Sequence, residues 1–303
     1  MIEIKRILCP TDFSEFSQHA LEQAVAIARW YGSEITALHV FGISVTAPAL
    51  TADGGIIALD RTSLMAGFQR ELEKDLEQFV VPVASAGVTI RRSIVEGEIV
   101  RTIVAQASSL PADLVVMGTH GRSGFERLLL GSVAERVLRK APCPVLTVPR
   151  RAPDTKLRFK QILCPIDFSD SSRAALKFAL SLAQEADARL VVAHVVELLS
   201  DGEIREYRMF TDPGYRENFE RAAREQIAAA IPDAARTFCA IDEVVVIGKA
   251  YMEILRLAET READLIVIGV HGRGAADLML FGSTTQHVVR QATCPVLTLR
   301  HSA

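Results

Sequence analysis

The chain has 303 residues, and its 34 lysines and arginines against 37 aspartates and glutamates give a formal net charge of −3. This balance provides no basic surface of the size that nucleic-acid binding requires. No apolar run reaches the roughly 20 residues of a membrane-spanning helix, and the opening sequence MIEIKRILCP lacks the layout of a signal peptide. We therefore expect a cytoplasmic protein that binds neither nucleic acid nor a membrane.

The first half of the chain is predicted to alternate strands with helices. In chain order the strands are Ile4–Cys9, Glu34–Phe41, Val88–Val95, Asp113–Met117 and Val145–Val148, and the helices are Glu15–Tyr31, Ser63–Ala84, Ile99–Ser109 and Val133–Lys140. Apolar strands separated by helices indicate right-handed crossovers and a parallel sheet that is buried on both faces. A ligand is therefore expected beyond the carboxyl ends of the strands.

The second half repeats the first. RILCPTDFS at Arg6–Ser14 returns as QILCPIDFS at Gln161–Ser169, and APCPVLTV returns near the end as ATCPVLTL. The same element order follows, with the second helix at Phe210–Ile231. We predict two homologous domains, 1–150 and 151–303, each an open α/β sandwich of five strands. A polar stretch, Pro149–Lys160, connects them.

A glycine pattern follows the fourth predicted strand of each half, in GTHGRSGFERLLLGS and in GVHGRGAADLMLFGS. The spacing is identical, with Gly118, Gly121 and Gly131-Ser132 in the first copy and Gly269, Gly272 and Gly282-Ser283 in the second. A strand that ends in such a loop and then opens a helix presents backbone N–H groups and a helix dipole to an anion. Two matching copies therefore predict two phosphate-binding loops.

One aspartate follows the first predicted strand of each half, Asp12 in PTDFS and Asp167 in PIDFS. A carboxylate at the mouth of a sheet, across from a phosphate loop, suits a sugar hydroxyl or a base amino group. The alternative is that both aspartates begin the turn into the next helix, although Ser14 and Ser169 are the better helix caps. Repetition beside a phosphate loop favours the ligand interpretation.

Each glycine loop also contains a histidine and an arginine, His120 with Arg122 and His271 with Arg273. One interpretation places these side chains beside the phosphates. The other has the histidines bonded to neighbouring backbone and the arginines exposed to solvent. Because the sequence reveals no partner for acid–base work by either histidine, no catalytic residue is predicted.

No metal site is predicted. His39 and His194, on the second strand of each half, are expected to be satisfied core or sheet-edge residues, and the histidines form no ligand-spaced cluster. The five cysteines have no metal-ligand spacing either, and buried, reduced thiols are expected.

The usual phosphate loop of NTPases is also absent from the sequence, since Gly248-Lys249-Ala250 lacks the hydroxyl that holds magnesium.

The string GTHGRSGFERLLLGSVAERVLRKAPCPVLTV resembles the signature of the universal stress proteins, and both halves carry it. The resemblance extends over nearly the whole chain, which would make the protein a tandem two-domain member of the family. Its complete glycine motif implies the ATP-binding branch of the family and an adenine nucleotide alpha-hydrolase-like, Rossmann-like fold. The implied ligand is ATP, with or without Mg²⁺.

The resemblance also implies which residues contact the nucleotide. In the first half these are Pro10, Thr11, Asp12 and the Val40 backbone for adenine and ribose, and Gly118, His120, Gly121, Gly131, Ser132 and Val133 for the phosphates, with Met117 and Arg122 also in the site. In the second half they are Pro165, Ile166, Asp167, Val195, Ile268, Gly269, His271, Gly272, Arg273, Gly282, Ser283 and Thr284. Ile166 replaces Thr11, and Arg127 has no basic counterpart, so a weaker second site is expected.

The function expected from these features is ATP binding in a stress response, exerted through nucleotide-dependent conformation or through partner binding. The alternatives are a slow ATP-hydrolysing enzyme and a nucleotide-free dimerisation scaffold. The final strands, PVLTV and PVLTL, are edge strands that invite pairing. Following the resemblance, we expect them to join the two halves as an intramolecular pseudo-dimer, with further assembly into a homodimer.

Overall fold

The computed structural model describes residues 2–42, 61–84, 87–121, 130–149, 159–197, 213–272 and 281–300. In the first half it has β1 (Arg6–Thr11), α1 (Glu15–Tyr31), β2 (Glu34–Phe41), α2 (Arg61–Val80), a 3-10 turn (Val81–Val83), β3 (Thr89–Glu96), α3 (Ile99–Ser109), β4 (Leu114–Gly118), α4 (Ser132–Lys140) and β5 (Val145–Val148). In the second it has β6 (Gln161–Pro165), α5 (Asp170–Ala186), β7 (Arg189–Val196), α6 (Pro213–Ala230), α7 (Ala235–Phe238), β8 (Ala240–Ile247), α8 (Ala250–Thr260), β9 (Leu265–Gly269), α9 (Ser283–Gln291) and β10 (Val296–Leu299).

The ten strands form one sheet in the order β3-β2-β1-β4-β5-β10-β9-β6-β7-β8. Within each half all strand pairs are parallel, which confirms the predicted α/β class. In each half, the strand order reverses between the first strand and the fourth, β1 and β4 or β6 and β9. In open α/β sheets such a reversal opens a crevice at the carboxyl ends of the strands, where ligands bind.

The halves meet through β5 and β10, the sheet's antiparallel pair, so the predicted pairing of the last strands is confirmed. Leu146 lies opposite Leu297 at the centre of the pair. On either side of this centre, Thr147 Oγ1 donates to Val296 O at 3.1 Å and Thr298 Oγ1 donates to Val145 O at 3.1 Å. Both threonines are buried, and their reciprocal hydrogen bonds satisfy polar groups at the junction.

Two apolar cores cover the two faces of the sheet, and each core runs through both halves. One contains Ile7 and Cys9 of β1 with the buried sides of α1, α2, α5 and α6. The other contains Leu8 with the buried sides of α3, α4, α8 and α9. Successive residues of β1 thus point to opposite faces and are buried on both, as expected for a parallel sheet.

The first helix of each half begins and ends where local chemistry dictates. Ser14 and Ser169 are the N-caps, and their hydroxyls accept from the backbone N–H of Ser17 and Ser172, which confirms both predicted caps. Gly32 ends α1 in the left-handed conformation with φ 66°. Asp187 takes the same role after α5 with φ 48°.

Some predicted boundaries need correction. β1 continues past Cys9 because Pro10 and Thr11 still pair with β2. α2 ends at Val80 rather than Ala84, since Pro82 cannot continue the helical hydrogen bonds and a 3-10 turn takes over. The start predicted for the corresponding helix of the second half, at Phe210, lies outside the described residues.

All five cysteines are free. The expectation of buried thiols is confirmed for four of them, while Cys143 is only partly buried. Burial raises the pKa of the Cys9 thiol to about 12. Within the described part of the chain, no helix is both long and apolar enough to cross a membrane.

Candidate nucleotide site

A cavity of about 480 Å³ opens at the carboxyl ends of the strands in the second half. It is lined by Pro165, Ile166, Asp167, Val195, Ile268, Gly269, His271, Gly272, Gly282, Ser283 and Thr284 together with Ser172, Ala193, Ala250, Ile254, Phe281 and Thr285. The first eleven are all the described residues that the sequence analysis named as nucleotide contacts in this half. Arg273 lies outside the described residues, as do Arg122 and Arg127 of the first half.

The six other lining residues were not anticipated from the sequence. Ala250 and Ile254 are one turn apart on α8, so they share the helix face that reaches the cavity. Phe281 directly precedes the Gly282-Ser283 pair and is buried. Phe281 carried a sequence signal, because it stands within the string GVHGRGAADLMLFGS. The two α8 residues carried none, because they lie far from the glycine motif in the sequence.

Each of the two aspartates makes a turn with the residues that follow it. Asp12 Oδ1 accepts from the backbone N–H of Ser14 at 3.1 Å and from its hydroxyl at 2.6 Å. Asp167 Oδ1 accepts from Ser169 at the same two distances. The turn interpretation is therefore correct for one oxygen of each carboxylate.

The other carboxylate oxygen lies against the glycine loop. A Cβ placed on Gly121 would be 2.5 Å from Asp12 Oδ2, and one placed on Gly272 would be 2.8 Å from Asp167 Oδ2. Real Cβ atoms do not approach oxygen so closely, so any side chain at either glycine would displace the carboxylate. The structure thus brings the aspartate and the middle glycine of the motif together in both halves.

The first and last glycines of the motif have separate reasons to be glycine. A Cβ on Gly118 would lie 2.9 Å from Phe16 Cβ, and one on Gly269 would lie 2.8 Å from the Ser171 carbonyl carbon. Both glycines therefore permit the first helix of the half to pack closely on its fourth strand. At Gly131 and Gly282 a Cβ would approach the carbonyl oxygens of Thr119 and Val270 at 3.1 Å.

In each half a helix begins directly after the glycine loop. Gly131 and Gly282 are the N-caps of α4 and α9, and neither helix has a side-chain cap hydrogen bond. Ser132 and Val133, which the sequence singled out, form the first turn of α4. Ser283 and Thr284 form the first turn of α9 and line the cavity. Their backbone N–H groups and the helix dipole make this end of the cavity suited to an anion.

The two loop histidines have different surroundings. His120 Nδ1 is 3.0 Å from Thr119 Oγ1, and its ring lies 5.3 Å from that of Phe16. In the second half Val270 and Ser171 replace Thr119 and Phe16. There the Ser171 hydroxyl donates to the His271 carbonyl, while His271 Nδ1 is buried without a hydrogen-bond partner in the described part of the chain.

The Thr11 hydroxyl accepts from the Phe13 N–H at 3.0 Å and donates to Ser17 Oγ at 3.1 Å. Thr11 is buried, and these two bonds lie within the turn that follows β1. Replacement by Ile166 in the second half therefore removes a turn contact, and this substitution gives no reason to expect weaker binding there. Arg127 lies outside the described residues, so the structure does not test whether its charge strengthens binding in the first half.

Among the described residues, no group of three or more His, Cys, Asp and Glu side chains is arranged to hold a metal ion. His39 Nδ1 lies 2.9 Å from Thr11 O, and His194 Nδ1 lies 2.7 Å from Ile166 O. These contacts confirm the expectation that both histidines are satisfied within the fold.

The model of the universal stress protein family matches residues 3–149 and again residues 158–300. The chain belongs to this family. A universal stress protein of Mycolicibacterium smegmatis is 28% identical over 303 residues, covering 97% of this chain and 96% of that protein. A universal stress protein of Methanocaldococcus jannaschii is 38% identical over 144 residues, which are 48% of this chain and 81% of its own.

Solved structures of universal stress proteins have the same fold as this chain. The crystal structure of a universal stress protein from Archaeoglobus fulgidus matches with a TM-score of 0.72 at 23% identity, over 99% of this chain and 100% of the other. A putative universal stress protein from Pseudomonas aeruginosa matches with a TM-score of 0.61 at 20% identity, over 98% and 93%. The two-domain, Rossmann-like arrangement is therefore one that universal stress proteins adopt.

Proposed function

We propose that this universal stress protein binds ATP at the carboxyl ends of the strands in each half and acts in a stress response through nucleotide-dependent conformation or partner binding. The main support is the second-half cavity, because every described residue that the resemblance assigned to the nucleotide in this half lines it. Its volume of about 480 Å³ lies within the roughly 300–1,000 Å³ of typical small-molecule sites.

The chemistry of the lining suggests how a nucleotide would lie. Ile166, Val195, Ala250 and Ile254 make one part of the lining apolar, which suits a base. The negative charge of Asp167 opposes a neighbouring phosphate and favours the hydroxyls of a ribose. The phosphates would then lie toward the glycine loop and the α9 N-terminus, where N–H groups are available.

We place the other site at the equivalent positions of the first half. Its counterparts are Pro10, Thr11, Asp12, Val40, Met117, Gly118, His120, Gly121, Gly131, Ser132 and Val133. The contact between Asp12 Oδ2 and Gly121 reproduces that between Asp167 and Gly272. Any Mg²⁺ would be held mainly by phosphate oxygens and water, as is common for this ion.

Binding is a better-supported function than catalysis. Among the described residues, His271 Nδ1 has no hydrogen-bonded carboxylate that would orient it as a general base, as efficient proton transfer requires. We therefore propose that ATP hydrolysis is slow at most. Sustained turnover in a steady-state assay with purified protein would instead favour the enzyme alternative.

The nucleotide released by denaturing the purified protein tests the proposal. We expect an adenine nucleotide, and loading with ATP should bring the stoichiometry to two per chain. Calorimetric titration of the emptied chain should give the same stoichiometry. If neither experiment detects a nucleotide, the scaffold alternative replaces this proposal.

The finer points of organisation are also proposals. We place the domains at 1–150 and 151–303, in a cytoplasmic protein that forms a homodimer. Light scattering should then give twice the 33.1 kDa mass of one chain. A mass of one chain across a range of concentrations would show that the pairing of β5 with β10 is the whole assembly.

A further inference from the structure

One pair of contacts, absent from the cavity lining of the second half, occurs in both halves. His39 of β2 contacts the two residues that flank Asp12, since its Nδ1 is 2.9 Å from Thr11 O and its ring is stacked on Phe13 at 4.3 Å. His194 of β7 flanks Asp167 in the same way, with Nδ1 at 2.7 Å from Ile166 O and its ring 4.7 Å from that of Phe168.

The phenylalanines in these pairs have a backbone conformation that is rare for their type. Phe13 and Phe168 both have φ 64°, in the left-handed region that side chains other than glycine seldom occupy. Such a residue persists only where its surroundings hold it. The neighbouring histidine ring, stacked on Phe13 and tilted against Phe168, is one of those surroundings. The same conformation in both halves indicates that the turn requires it.

The tautomer of each histidine follows from its partner. A carbonyl oxygen can only accept, so Nδ1 must carry the proton and donate to Thr11 O or to Ile166 O. This bond fixes the peptide plane immediately before the aspartate, while the ring contact holds the residue immediately after it. The aspartate is therefore held from both sides, with Oδ2 directed at the glycine loop.

We propose that His39 and His194 are positioning residues, whose Nδ1–H bond sets the direction of Asp12 and Asp167 toward the nucleotide. The proposal rests on the proposed function, and it assigns the histidines a role that neither composition nor spacing indicated. Neither histidine needs to touch the ligand. His39 directly precedes Val40, and His194 directly precedes Val195. The Nδ1–H bond therefore joins β2 or β7, whose valine is proposed to contact the base, to the turn that carries the aspartate proposed to contact the ribose.

Substitution of His194 by Leu and by Asn isolates this bond. Leu keeps the bulk of the side chain and removes the donor. Asn carries an N–H group at the same position along the side chain as Nδ1 and can still donate to Ile166 O. His39→Leu and His39→Asn form the matched pair in the other half.

Calorimetric titration with ATP measures the affinity of each site in the full-length variants of both pairs, and thermal melting measures their stability. We expect His194→Leu to weaken one of the two sites about tenfold, the typical effect of one lost hydrogen bond that directs a ligand group. His194→Asn should restore that site to near the wild-type affinity. The site in the first half should not change, and the His39 variants should show the reverse.

The possible results separate cleanly. Rescue by Asn, with similar melting temperatures for the Leu and Asn variants, supports positioning. Wild-type affinity in the Leu variant, or equal weakening by Leu and Asn, overturns it. A wild-type chain that binds no adenine nucleotide overturns the proposed function itself, which is a different result from a variant that binds unchanged.

Discussion

The two aspartates each have two tasks, one for each carboxylate oxygen. Oδ1 closes the turn before the first helix by accepting from Ser14 or Ser169, and Oδ2 faces the glycine loop. The alternatives left open by the sequence are thus not exclusive. A substitution can separate them only if it preserves the acceptor at Oδ1.

Asp167→Asn is such a substitution. The amide oxygen still accepts from Ser169, while the charge that would bind ribose hydroxyls is lost. We expect an unchanged melting temperature and a loss of affinity of roughly ten- to a hundredfold at one site, the range for a charge-assisted hydrogen bond. Asp12→Asn should do the same at the other site.

Asp167→Ala is the control for this prediction, because it also removes the turn contacts and should lower the melting temperature. Titration calorimetry and thermal melting of all three variants provide the comparison. Normal nucleotide binding by Asp167→Asn would show that the aspartate stabilises the turn and does not contribute to binding.

The middle glycines lie where the same carboxylates approach the loop. We expect Gly272→Val to abolish one nucleotide site and Gly121→Val the other, because the side chain would displace Asp167 or Asp12. The double variant should bind no nucleotide in calorimetric titration and keep its circular dichroism spectrum. Gly67→Ala is the matched control, since its Cβ would have no atom within 4 Å.

Unchanged stoichiometry in the double variant would mean that these glycines serve only the loop backbone, and the proposed ATP sites would be wrong. The single variants also compare the two sites directly. That the first half binds more tightly stays a prediction, now resting on Arg127 alone.

Apart from the short α7, which the sequence did not predict, the order and type of the helices and strands followed from the sequence because the relevant forces are local. Periodic apolar residues, capping serines and turn glycines act within a few positions, and α1, α3 and β2 have the bounds that these signals predicted. The repeated motif likewise located both glycine loops.

The features that the sequence did not reveal depend on packing between distant segments. Ala250 and Ile254 reach the cavity only because α8 packs beside β7, and the role of Gly118 depends on how closely α1 approaches β4.

That close approach makes Gly118 and Gly269 stability positions. In Gly118→Ala the new Cβ would also lie 3.0 Å from the backbone carbon and oxygen of Phe16, so helix and strand must separate. We expect a loss of about 1–3 kcal/mol, as for other overpacked sites, seen as a melting temperature several degrees lower. Gly269→Ala should behave alike.

Denaturant unfolding of the two alanine variants measures this loss. Nucleotide affinity, measured at a temperature where each variant is folded, should change less than in Gly121→Val or Gly272→Val. If Gly118→Ala were as stable as wild type while its binding was lost, this glycine would belong with the phosphate contacts.

The ten strands share one sheet because β5 and β10 pair, and each half alone would expose that strand as an edge. We therefore expect fragments 1–150 and 151–303, expressed separately, to associate with each other or with themselves. Size-exclusion chromatography with light scattering measures this. Fragments that stay monomeric, alone and mixed, would show that the junction holds only when the chain connects it.

The symmetric register at Leu146 and Leu297 has a consequence for how the two sites can change over time. In a dimer of identical one-domain chains, any substitution would appear in both sites at once. Here the partner is tethered at high effective concentration, so association no longer depends on how much protein the cell contains. Each half is free to acquire its own substitutions, as Thr119 with Phe16 and Val270 with Ser171 already illustrate. If both halves bind a nucleotide as proposed, one site can be tuned to a different nucleotide level while the other is retained. A single chain would then respond over a wider range of nucleotide concentrations than a symmetric pair.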